Sequence, residues 1–160
     1  MGRRADLLAD RIEEGAATLA AFAKDLSDAQ WRTAVPKDGR TVGVTVHHVA
    51  SMYPIEMDVV QAVAQGGAVT DVTWDVVAQI NAGHASEHVA CTKDEAIALL
   101  QRNSRAAAQA VRALSDEQLD RAAPFSLSYG APVTTQFIIE DHPLRHPWHH
   151  LFRMKKALAL

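Results

Sequence analysis

The chain has 160 residues, 48% hydrophobic and 22% charged, with 16 Lys plus Arg against 19 Asp plus Glu for a formal charge of -3. That mixture excludes a wholly disordered chain, suits a single domain over residues 1–160, and offers no electrostatic footprint for nucleic acid. The single cysteine, Cys91, excludes an intrachain disulfide framework; no uncharged apolar run approaches the roughly 20 residues a bilayer requires, so a soluble, cytoplasmic protein without a membrane partner is expected.

The first predicted helix runs from Ala5 to Leu26. Leu8, Ile12, Leu19, Phe22 and Leu26 recur at steps of three, four or seven, the return period of one buried helical face. Gly15 lies on that stripe and permits close packing. Thr41 to Val46 alternates like a strand, but Val49, Met52, Glu56, Val59 and Val63 carry on a helical period. The longer pattern predicts a helix over Val42 to Ala64, N-capped by Thr41 and bent or locally broken at Pro54. Trp74 to Asn81 reads as a short amphipathic turn or helix. Thr92 to Glu95 fits a capping box opening a helix from Lys93 to Leu114. A last helix falls within Thr134 to Leu158, interrupted or bent around Pro143 and Pro147.

A faint repeat links the two halves. Leu26-Ser27-Asp28-Ala29-Gln30 and Leu114-Ser115-Asp116-Glu117-Gln118 stand 88 residues apart, each followed by a proline, at Pro36 and Pro124. Each follows an amphipathic helix and precedes a histidine-bearing one, which favours two helical hairpins. Four antiparallel helices with a central connection crossing the bundle are the simplest closed arrangement. No phosphate-binding loop or run of alternating strands and helices is present.

The eight histidines carry the chemistry. His146 and His150 are four apart and project to one face of a continuous helix, where two imidazoles can meet a divalent ion if a third ligand arrives. The adjacent pair His47-His48 supplies that donor. Consecutive helical residues point about 100° apart, so one ion takes one of them. His48, beside the packed face, is favoured, leaving His47 as a supporting partner or a solvent-facing ring. A three-histidine site keeps a position open for water or substrate. A rival soft-metal cluster is His84, His88 and Cys91, at steps of four and three; Cys91 otherwise reads as a small packed residue. Glu56, Glu140 and Asp141 are the candidate acid-base groups. His142, Arg145, Trp148 and His149 are candidates to touch substrate or support the ligands, Arg145 through a substrate carboxylate.

Thr41-Val42 leading into His48-Val49-Ala50, with the distant His146-Pro147-Trp148-His149-His150, resembles the DinB-like superfamily, including enzymes related to mycothiol-dependent maleylpyruvate isomerase. Leu26 to Trp31 and Ala78 to Ala82 look like supporting features. The resemblance implies an all-α, four-helix up-down-down-up bundle with one longer crossover connection. It also implies a divalent metal, Zn or Ni, on His48, His146 and His150. Its expected activity is transfer of a low-molecular-weight thiol cosubstrate to a small electrophile, in a chain that could pair as a homodimer. Metal-dependent hydrolysis and a non-catalytic metal-binding scaffold are the alternatives.

Overall fold

A computed structural model describes residues 2–160. Helix α1 (Arg3–Asp25) buries Leu8, Ile12 and Leu19 on one stripe, as the periodicity predicts. It stops one residue short of Leu26 because Ser27 opens a new capping box. Ser27 Oγ accepts from the Gln30 amide, and the Gln30 side chain accepts from the Ser27 amide. The short α2 (Asp28–Trp31) that follows sets the buried Trp31 indole over Gly43, where a Cβ would come within 2.4 Å of the ring.

Helix α3 (Val42–Ala64) starts from Thr41, whose hydroxyl accepts from the Val44 amide. The expected break at Pro54 does not occur. Proline removes the N–H that would satisfy the Ala50 carbonyl four residues back, and Asn103 Nδ2 donates to that carbonyl instead, at 2.8 Å. Helix α4 (Trp74–Glu87), capped by Thr73, runs six residues beyond the predicted Asn81. Helix α5 (Lys93–Arg112) opens with the expected capping box of Thr92 and Glu95.

The second connector repeats the first. Ser115 and Gln118 form the same reciprocal box at the start of α6 (Asp116–Asp120). Ala34 bridges Thr41 in one connector. Ala122, 88 residues after Ala34, pairs with Thr134, 93 residues after Thr41, where β1 (Ala122–Pro124) meets β2 (Pro132–Thr134) antiparallel. Thr134 then caps α7 (Thr135–Ile139) as Thr41 caps α3. A π-helical turn over Glu140–Leu144 leads into α8 (Arg145–Ala157). The interruption expected near Pro143 is thus a widened turn, which accommodates a residue without an N–H and keeps the run helical.

Contacts along the helices give their directions. Arg112, at the end of α5, pairs with Asp10 and Glu13 near the start of α1, and Lys93 donates to the Leu26 carbonyl at the opposite end. These two helices are antiparallel. Asn103 meets Ala50 and Arg121 Nη1 donates to the Ala64 carbonyl, so α3 and α5 run parallel. Arg11 pairs with Glu140 and Arg153 donates to the Pro36 carbonyl, so the C-terminal run parallels α1. The order is up-down-down-up, with α4 inside the long crossover from α3 to α5. The result is an all-α bundle of the long helices α1, α3, α4 and α5 together with the C-terminal run. Its core holds Ile12, Leu19, Val46, Tyr53, Leu100, Ile138 and Met154. Among the described residues, no helix is long and apolar enough to cross a membrane.

Candidate metal centre

The first nine residues of α3, Val42 to Ala50, are all buried. Both members of the His47-His48 pair therefore face protein, and their divergence of about 100° sends them to different groups.

His48 meets α8. Its Nε2 stands 3.2 Å from His146 Nε2, and its ring centroid lies 5.2 Å from that of His150. One ring nitrogen from each of His48, His146 and His150 lies within 4.8 Å of the other two. Two nitrogens bound about 2.0–2.1 Å from a tetrahedral ion sit roughly 3.4 Å apart, so this spacing suits one divalent cation. Burial, then neighbouring His146 and Arg40, drives the His48 and His150 rings well below the ordinary histidine pKa. They are neutral near pH 7, the form that offers a lone pair. His48 Nδ1 and His150 Nδ1 are buried with no partner among the described residues. Three imidazoles packed with ring nitrogens this close, two of them held neutral by burial, fit a metal better than they fit a hydrogen-bonded polar core.

Glu56 completes this group from α3. Its Oε1 lies 2.8 Å from His146 Nδ1, and both side chains are largely buried. A carboxylate on the far nitrogen of an imidazole fixes the ring's orientation and raises its basicity. The eight-residue step from His48 survives Pro54 because α3 stays continuous.

His47 enters a second group. Its Nδ1 is 2.9 Å from His84 Nε2, its ring stacks on His88 with centroids 4.1 Å apart, and Ser51 Oγ lies 3.2 Å from the same Nδ1. His47 is thus neither solvent-facing nor in contact with the first cluster's α8 ligands. Cys91 does not complete the cluster expected with His84 and His88. Helix α4 ends at Glu87 with His88 as its C-cap, so no helical turn carries Cys91 back to the same face. Its thiol is half-buried against the core, where burial, then Glu95, raises its pKa. Its carbonyl accepts from Trp31 Nε1 at 3.2 Å.

A cavity of about 400 Å³ opens above the first cluster, with His48, His146 and His150 at its floor. Met52, Ile55 and Val59 of α3, Val77 and Ile80 of α4, and Phe125 and Leu127 form apolar walls. Arg40 lines it too. Its Nε pairs with the buried Asp38, which also holds Arg153 at 3.0 Å, while Arg40 Nη1 is buried without a partner among the described residues. No periodicity marked Arg40, which precedes a cap in a loop; an unexplained arginine beside Thr41 was the only signal.

The remaining candidates divide. Asp141 and Arg145 pair at 3.1 Å on the cavity rim, and His142 and the exposed His149 also line it. Glu140 lies away from the cavity, paired with Arg11 at 3.0 Å near the start of α1. Trp148 packs on α1 instead of the cavity, where a Cβ at Gly15 would meet its Nε1 at 3.0 Å.

The sequence model of the mycothiol maleylpyruvate isomerase N-terminal domain family matches residues 12–140, a span that includes His48 and stops short of His146. Among solved structures, the chain is similar to YfiT from Bacillus subtilis, described as a probable metal-dependent hydrolase with an unusual four-helix bundle topology. The TM-score is 0.78 at 19% identity, covering 99% of this chain and 89% of that one. No curated protein matches the chain. With the family model covering most of its length and the bundle superposing on YfiT, the chain belongs to the mycothiol maleylpyruvate isomerase N-terminal domain family and has the DinB-like fold.

Proposed function

We propose that the chain is a divalent-metal-dependent hydrolase acting on a small, largely apolar substrate that bears an anionic group. The observation that carries this reading is the cavity of about 400 Å³ whose floor is His48, His146 and His150. A divalent cation held by these three residues supplies Lewis-acid activation of water. Glu56 Oε1, 2.8 Å from His146 Nδ1, is placed to orient that ring, and the Glu56 carboxylate, in the cavity lining, can take the proton released as water attacks. The apolar walls exclude bulk water and grip the substrate body. Arg40, whose side chain lines the wall, receives a substrate carboxylate.

Hydrolysis asks the cavity to admit one organic molecule and a water, which suits its volume. The likeness to YfiT supports the same chemistry. Transfer of a low-molecular-weight thiol is the second reading, favoured by the word mycothiol in the family's name; it requires thiol and electrophile together in that space. Zn or Ni loading of metal-stripped protein, followed by a screen of short-chain esters and amides with and without a terminal carboxylate, tests the first reading. Metal-dependent cleavage abolished in His146→Ala is the expected result. Turnover only when a thiol is added, with the thiol found in the product, would replace hydrolysis by transfer.

A further inference from the structure

We propose that His47, His84 and His88 form a second divalent-cation site, abutting the first and independent of it. One ring nitrogen from each lies within 4.8 Å of the other two. His47 and His84 are buried and His88 is half-buried, so the group has an access path from solvent at the end of α4. A hydrogen bond between His47 Nδ1 and His84 Nε2, 2.9 Å apart, accounts for one pair of nitrogens. Opening that pair to the roughly 3.4 Å of two ligands on one ion takes a few tenths of an ångström of side-chain movement.

The adjacency of His47 and His48 is what makes two sites natural. Neighbouring residues on a helix cannot both reach one small ion, yet both are buried here in histidine-rich surroundings. The rings of His48 and His84 approach to 5.6 Å between centroids, so the two clusters share a wall. The donor set contains no carboxylate, which selects imidazole-loving ions such as Zn²⁺, Ni²⁺ or Co²⁺ over Mg²⁺ or Ca²⁺. Ser51 Oγ, 3.3 Å from His84 Nε2 and 3.2 Å from His47 Nδ1, is placed to support the rings.

The test strips the full chain of metal with a chelator and titrates it with Co²⁺, following the visible absorption of the ion. Metal per chain is then counted after gel filtration. Two equivalents are expected for the unaltered protein and one for His84→Ala. His88→Ala, at the partly exposed helix end, should also hold one and guards against misfolding of the buried variant. His146→Ala should hold one ion, and His84→Ala combined with His146→Ala none. One equivalent in the unaltered protein, kept in His84→Ala and His88→Ala but lost in His146→Ala, would overturn the second site and leave the proposed hydrolase standing. One equivalent lost in His84→Ala and kept in His146→Ala would support the new site and overturn the hydrolase reading. A single ion lost in all three variants would mean one shared centre and would overturn the inference.

Discussion

Glu56 Oε1 stands 2.8 Å from His146 Nδ1, tying a carboxylate of α3 to the ring of α8 that must approach His48. Carboxylates in this position fix a ligand's tautomer, and losing one typically weakens metal binding about 10–100-fold. Glu56→Ala should show a loss of that size in competition against a chromophoric chelator, with its helical circular dichroism unchanged. Affinity equal to that of the unaltered protein would remove Glu56 from the centre.

Arg40 should discriminate among substrates. Its side chain lines the cavity, and Asp38 keeps Arg153 when Arg40 is removed. Arg40→Met should raise KM for carboxylate-bearing substrates by about 10–100-fold, the worth of a charge-assisted hydrogen bond. Neutral esters of the same shape should show little change. Steady-state kinetics on matched pairs reads the difference, and an equal loss on both members would reduce Arg40 to a structural role.

Gly43 is required by packing. A methyl group there would meet the Trp31 ring at 2.4 Å. Overpacking of this kind costs about 1–3 kcal/mol, more than the ~1 kcal/mol that alanine gains over glycine inside a helix. Gly43→Ala should therefore melt several degrees lower in a thermal scan, while Gly83→Ala, with open space at its Cβ, should not.

Acid should weaken the seam between α1 and α5. The Arg112 guanidinium hydrogen-bonds Glu13 and holds its carboxyl below the usual range. A depressed carboxyl releases its proton more readily when folded, so its contribution is present above the unfolded pKa near 4.3 and is lost as pH falls through the folded value. Both groups are partly exposed, which keeps the effect below about 1 kcal/mol. Urea midpoints between pH 6 and pH 3 should fall more for the unaltered protein than for Arg112→Ala. Parallel curves would show that the pair contributes nothing.

The helices with strong local instructions were legible in the sequence. Thr41 and the apolar period define α3 to the residue, and the repeated Leu-Ser-Asp segments mark two like connectors, in each of which the structure builds a capping box. The continuity of α3 through Pro54 is not legible in the sequence because it depends on another chain segment supplying a donor, and Asn103 lies 53 residues from the carbonyl it satisfies. The length of α4 was hidden because most of its side chains are exposed or half-buried, so no buried stripe marks its last six residues. The grouping of His47 with His84 and His88 was equally hidden. It depends on how the crossover folds back onto α3, a tertiary fact that the spacing within either segment does not contain.

The π turn at Glu140–Leu144 carries a further consequence. A wide turn inserts about one residue into the helical count and rotates everything after it by roughly 100°. Ile138 and Ile139 before it face the core, while His146 and His150 after it face the cavity. The run thus works as two helices in different phase, and the second carries its own buried residues, Leu151 and Met154, beside the ligands. Removing a single residue within the turn would spare the core upstream, swing both imidazoles away from His48 and carry Leu151 and Met154 out of the core with them.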